Sequence, residues 1–203
     1  QFDGETADIR LAVSRDGEHF NFVFPETPLI ARAKRGAWNS GYFLPADLVI
    51  DGDTAAFFYG SSAIYDDKHV PEEKWLCCAG RAVCRRDRFV CLSPRDAGRA
   101  SFLMTVPLEV PAGRLALRVN AKLAEASRLR VGLTHPDIPS KHLPGFATED
   151  CTPIVGDSLG HPVRWQRADH IPANLRHFRI SLLLEGETSD ALYGVTFEAP
   201  GET

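Results

Sequence analysis

The chain contains no run of about 18 apolar residues, so no segment reads as a membrane-spanning helix. It has no excess of positive charge either: 23 Lys and Arg stand against 27 Asp and Glu, a formal net charge of −4. That balance argues against a nucleic-acid partner. The local basic clusters, Arg15, Arg32, Lys34 and Arg35 and then Arg81, Arg85, Arg86 and Arg88, read as solvated strand edges or turns. No Cys-x-x-Cys pair occurs among Cys77, Cys78, Cys84, Cys91 and Cys151, which removes the usual spacing of a structural zinc site. Their odd count leaves at least one thiol unpaired within the chain. The cysteines read as small buried hydrophobes, and a Cys84–Cys91 bridge across a hairpin is the first disulfide to test. No Asn-x-Ser/Thr acceptor is present. The opening Gln1-Phe-Asp-Gly-Glu is acidic and polar, unlike a secretion leader, which a mature or excised chain would have lost.

A convincing helical period is also missing; residues 121–126 and 171–175 read as single turns at most. What the 203 residues do contain is short apolar runs, rich in β-branched and aromatic residues and bounded by Gly, Pro, Asp and Asn. They recur at 9–14, 42–50, 54–59, 75–84, 89–92, 101–106, 114–121, 127–133, 163–165, 176–184 and 191–197. This is the pattern of an all-β protein built from hairpins. Asp16-Gly17 and Asp51-Gly52 supply turns that need positive φ. Leu115, Leu117 and Val119 share one face, as do Leu129, Val131 and Leu133, so these two runs read as neighbouring strands. Near Arg85 long aromatic-rich loops give way to closely spaced amphipathic strands, which divides the chain at 1–84 and 85–203 with no Ser/Gly/Pro-rich linker between the parts.

Several motifs in fixed order carry a resemblance. Ser14-Arg-Asp-Gly17 with Phe20, Gly36-Ala-Trp-Asn-Ser-Gly41, Asp51-Gly-Asp-Thr-Ala-Ala-Phe-Phe-Tyr-Gly60 and Arg81-Ala-Val-Cys-Arg-Arg-Asp-Arg-Phe-Val-Cys-Leu92 come first. Leu143-Pro-Gly-Phe146, Asp150-Cys151, Gly156-Asp-Ser158 with His161 and Trp165, and Ala191-Leu-Tyr193 follow. Together they resemble the last blade and C-terminal β-sandwich of five-bladed β-propeller glycoside hydrolase-like proteins of the invertase and arabinanase type. The resemblance covers roughly residues 8–198. It implies a partial propeller blade packed on an antiparallel, jelly-roll-like β-sandwich, with 178–184 and 191–197 as a final antiparallel pair. It also implies an extracellular location and two partners, a carbohydrate and the rest of the propeller or another chain.

The chemistry implied is limited. Glycoside hydrolysis needs two carboxyl groups about 5–10 Å apart, one with a raised pKa, and in a propeller they stand on different blades. One blade cannot supply that pair, so the isolated chain is expected to be non-catalytic, its catalytic residues unknown. Asn39 stands where the family commonly has Asp; it can hold a hydroxyl but cannot act as acid, base or nucleophile. Residues expected to bind a sugar are Trp38, Asn39, Tyr42, Tyr65, Asp66 and His69, with Asp47 and Asp67 as further rim carboxylates. Trp38, Tyr42, Tyr65 and Trp165 are aromatic candidates if the chain is a carbohydrate-binding module; the other reading of these residues is loop and core packing. A third alternative is an assembly module that pairs through open sheet edges.

Gly156-Asp-Ser-Leu159 spells the start of a serine esterase motif, but that serine belongs between a strand and a helix near a chain start. Here it falls late, and none of His161, His170 and His177 has an Asp three residues before it. Asp157 and Ser158 are instead expected to satisfy backbone donors in a turn that launches a 161–165 strand, with Trp165 as a core anchor. Asp150 is expected to do likewise at the end of a loop, with Cys151 buried. His135, Asp137, Glu149 and Asp150 offer hard donors in one loop that calcium could use, although nothing in their spacing fixes a site. No cofactor or resident metal is expected.

Overall fold

Turn chemistry sets the first strands. A computed structural model describes residues 7–34, 37–63 and 77–199. In the first hairpin the strands β1 (Ala12–Ser14) and β2 (Phe20–Phe22) pair antiparallel, with Ser14 opposite Phe20. The Ser14 hydroxyl accepts the Gly17 amide at 2.8 Å, and Asp16 Oδ1 accepts the amides of Glu18 and His19 at 2.9 and 2.8 Å. Gly17 takes φ +80°, which an L side chain seldom adopts. Two side chains thus fill the turn's backbone donors without help from any core.

Three longer strands follow: β3 (Tyr42–Asp51), β4 (Thr54–Ser62) and β5 (Cys77–Arg85), in the sheet order β3-β4-β5. Gly52, at φ +51°, closes the tight β3–β4 turn between paired Asp51 and Thr54. Alternation gives the sheet two different faces. One carries Ala55, Phe57 and Tyr59, with Phe89 edge-on to Phe57 at 5.7 Å. The opposite face carries Val49, Ala56 and Val83 in one cross-strand row and Asp47, Phe58 and Arg81 in the next. Just beyond β5 Asp87 takes the left-handed conformation at φ 59°, one that Asp tolerates better than most residues.

The chain divides into two compact units, Gln1–Phe89 and Val90–Thr203. In the second, one sheet has the order β10 (Asp157–Pro162), β8 (Ala116–Lys122), β12 (Ala191–Glu198). In another, β11 (His177–Glu185) pairs with β6 (Ala100–Met104) and β7 (Leu108–Glu109) and also with β9 (Arg128–Thr134). Leu117, Val119 and Ala121 of one sheet and Leu129, Val131, Leu133, Phe178, Ile180 and Leu182 of the other join a single buried apolar cluster. Among the described residues the protein is all-β, with several antiparallel sheets, none of them closed.

Pairing departs from the sequence expectation in two places. β8 and β9 are consecutive and present apolar faces to one core, yet they lie in different sheets, as do β11 and β12. Their connections cross from sheet to sheet instead of closing hairpins, because each strand finds its backbone partner far away in sequence. β10 begins at Asp157 and ends at Pro162, so residues 163–165 continue past it rather than forming the strand's body. Residues 89–92 form no strand; Leu92 makes an isolated bridge with Leu192.

The outer edge of β9 is satisfied piecemeal. Leu129 and Ile154 exchange amide hydrogen bonds at 3.1 and 2.8 Å, and Leu133 donates to Phe146 and accepts from Leu143 at 2.8 and 2.9 Å. Between them, the Trp165 indole Nε1 donates to the Val131 carbonyl at 2.9 Å. A side chain therefore stands in for the strand that would otherwise pair there. Trp165 is 4% exposed and meets Phe146 edge-on at 4.9 Å, the core anchor expected of it.

Candidate functional site

The expected sugar-binding residues that can be described gather at the entry to β3. A turn at 37–40 is held by the Ser40 amide and hydroxyl, which both donate to the Ala37 carbonyl at 3.2 and 2.7 Å. Ala33 donates to the Asn39 carbonyl at 3.2 Å, and Gly41 donates to Ser62 at 2.9 Å. These bonds carry Trp38 over the sheet, where its ring lies parallel to Tyr59 at 6.2 Å. Phe43 closes the group edge-on to Tyr59 at 5.0 Å. Gly80 makes room for them: a methyl group there would lie 2.5 Å from Tyr59 and 2.7 Å from Trp38.

Trp38 and Asn39 remain half-buried, while Tyr59 is 8% exposed, so Trp38 offers most of the aromatic surface available to a ligand. Tyr42, paired with Ser62, alternates to the other face of the sheet and does not join the Trp38–Tyr59 stack. Tyr65, Asp66, Asp67 and His69 lie outside the described residues. Asp47 is exposed on β3, opposite Phe58. Trp165, an aromatic candidate for binding, is buried in the second unit with its indole nitrogen engaged, and it has no ring face to offer.

Among the described residues no carboxyl has a resolved upward shift of the kind a glycoside-cleaving acid needs. The carboxyls with resolved shifts, Asp16, Glu149, Asp169 and Asp190, all move downward, opposite to what a general acid requires. The His19 and Glu18 amides, with the side chains of His19 and Ser14, hold Asp16 far below the ordinary carboxylate range. Hydrogen bonding to His170 lowers Asp169, and Arg114 adds to it. Such groups are proton acceptors only, held ionised by their donors.

The five cysteines are free thiols, so the Cys84–Cys91 bridge is not formed. Against the expectation of small buried hydrophobes, Cys151 alone is buried; Cys91 is exposed beyond β5, and on β5 Cys77 is exposed and Cys78 and Cys84 are intermediate, because that strand leaves neither of its faces fully covered. Burial pushes the Cys151 and Cys84 thiols up, which makes them poorer nucleophiles. Among the described residues no three His, Cys, Asp or Glu side chains are grouped to hold a metal ion. Of the calcium candidates, His135 Nδ1 accepts the Asp137 amide at 3.1 Å and Asp150 accepts the Ala147 amide at 3.3 Å, the latter the loop-closing role expected of it. Ser158 accepts the Gly160 amide at 3.1 Å within a bulge of β10, and His161 Nε2 faces the Ala121 carbonyl at 3.3 Å. Both are backbone-satisfying contacts. Among the described residues no helix is long and apolar enough to cross a membrane.

Two polar groupings escaped the sequence reading. Asp190 is fully buried at the end of the β11–β12 turn, and Arg114 meets Asp169 and His170 at 3.3 and 2.8 Å. Nothing local marks either one: Asp190 looks like one more acid in an acidic turn, and Arg114 lies 55 residues from Asp169. The chain matches no protein-family model, no curated protein and no solved structure.

Proposed function

We propose that this chain is the last blade and C-terminal β-sandwich of a glycoside hydrolase-like, carbohydrate-active protein, the sandwich acting as structural support and the chain by itself non-catalytic. The observation that carries the reading is order. A side-chain-capped Ser-Arg-Asp-Gly hairpin, a three-stranded antiparallel meander and then two sheets around one core succeed one another along the chain, as the resembling motifs do. The Asn at position 39, which cannot act as acid, base or nucleophile, supports the non-catalytic part of it.

The decisive test is the sequence encoded immediately upstream of Gln1. Four further blades with inner-strand carboxylates are expected; their absence overturns the reading. A panel of fructosides and arabinosides provides the second test. No turnover by this chain is expected, and turnover abolished by Asp66→Asn or Asp67→Asn would show a complete active site here.

A second reading, a carbohydrate-binding module, is favoured by one observation: Trp38 lies parallel to Tyr59 yet half-open to solvent. Quenching of tryptophan fluorescence by oligosaccharides, lost in Trp38→Ala, would establish it. An unchanged spectrum across a glycan panel would dispose of it.

A further inference from the structure

The face of the β3-β4-β5 sheet opposite Tyr59 has an ordered charge pattern. Its central rows are apolar: Val49, Ala56 and Val83 lie in register across the three strands, and Phe58 follows on β4. Leu44, Val49, Phe58 and Val83 are 49, 48, 46 and 59% exposed, a contiguous apolar patch among the described residues. Its flanks are charged with opposite sign. Asp47 and Asp51 lie on β3; Arg81 and Arg85 lie at the matching register positions on β5, beyond Phe58 and Thr54. Arg81 holds its guanidinium over Phe58 at 5.7 Å, and Arg85 approaches Asp53 at 3.8 Å. The face is acidic along one strand, apolar along the middle and basic along the other.

We propose that this face docks against the same face of a second copy of the chain. The charges select the symmetry. A two-fold axis lying between the sheets and parallel to the strands sets β3 of one copy over β5 of the other. Asp47 then meets the second copy's Arg81 twice over, Asp51 approaches its Arg85, Val49 meets Val83, and Phe58 meets Phe58 on the axis. An axis perpendicular to the strands would set acid on acid and base on base, which costs free energy at every contact. One face complementary to itself under one two-fold operator is the requirement for an isologous dimer. Three strands about 4.8 Å apart and about 30 Å long cover roughly 400 Å² per copy, which is below the size of a permanent interface, so the dimer forms reversibly with concentration. This inference does not rest on the carbohydrate reading.

Sedimentation velocity of the full 203-residue chain over a wide dilution series tests it. The wild type is expected to shift from monomer to dimer as concentration rises. Asp47→Arg alone and Arg81→Asp alone each set like charges opposite one another and raise the dissociation constant about tenfold. An equimolar mixture of the two variants regains dimerisation, because positions 47 and 81 facing each other across the mixed dimer again carry opposite charges. This recovery also shows that both variants are folded. A strict monomer at every concentration overturns the proposal. So does a dimer indifferent to both substitutions, or single variants that do not recover on mixing.

Discussion

Asp190 Oδ1 accepts the Ala124 amide at 2.7 Å across 66 residues of sequence, tying the β11–β12 turn to the β8–β9 turn. Its other oxygen accepts the Glu187 amide at 2.6 Å, so one buried carboxylate completes two turns that link different sheets. Burial alone would raise this carboxyl, but Ser127 and the two amides together hold it below its ordinary value. Asp190→Ala removes the acceptor of two part-buried amide bonds and is expected to cost about 1–3 kcal/mol, read by urea denaturation. The pH dependence has a definite sign. Because the folded value is depressed, the contribution is fully present above the unfolded value near pH 4 and is lost as pH falls through the folded value. The gap between wild type and Asp190→Asn should therefore narrow on acidification. Gly186→Ala should destabilise as well, since its methyl would lie 2.0 Å from Asp190 Oδ2.

Trp165 is expected to matter through its nitrogen as well as its ring. Trp165→Phe keeps an aromatic against Phe146 but removes the donor to Val131, and is expected to cost about 1–3 kcal/mol. Trp165→Ala adds a cavity and should cost about 3–5 kcal/mol. Chemical denaturation of the two variants separates the terms. No loss in Trp165→Phe would mean that the hydrogen bond carries nothing, and equal losses in the two variants would mean that the ring adds nothing beyond it.

Gly80→Ala forces a methyl group into the Tyr59 and Trp38 rings and should cost about 1–3 kcal/mol. The near-ultraviolet circular dichroism of the aromatic stack should change with it. Gly194→Ala is the control: it meets nothing within 4 Å, so its midpoint should scarcely move.

Thiol reactivity should follow exposure. With a thiol-specific disulfide reagent, Cys77 and Cys91 are expected to react first in the native protein. Cys84, raised by burial, should lag, and Cys151 should respond only on unfolding. All five should titrate in denaturant without prior reduction.

Part of this arrangement is legible in the sequence. Asp16-Gly17 and Asp51-Gly52 announce hairpins because positive φ is a local property, and both glycines adopt it. Trp165 as an anchor and Asp150 as a loop-closing acceptor follow from residue type. The candidate site is legible only in pieces. Trp38 can be named from the sequence, but not its stack on Tyr59, which comes from strand register and from the missing side chain at Gly80. Nor does sequence order reveal that Tyr42, four residues on, alternates to the other face.

The sequence by itself determined that this is an all-β chain, where its Asp-Gly turns fall and which residues of 115–119 and 129–133 face inward, because period-two alternation and turn chemistry act within a few residues. Only the tertiary structure decided which strands pair. β8 and β9, then β11 and β12, are neighbours in the chain yet separate into different sheets around a shared core. Backbone hydrogen bonds carry no residue identity, so partner choice is set by the packing of both sheets at once. The same long-range packing buries Asp190 between two turns and uses Trp165 to finish the edge of β9.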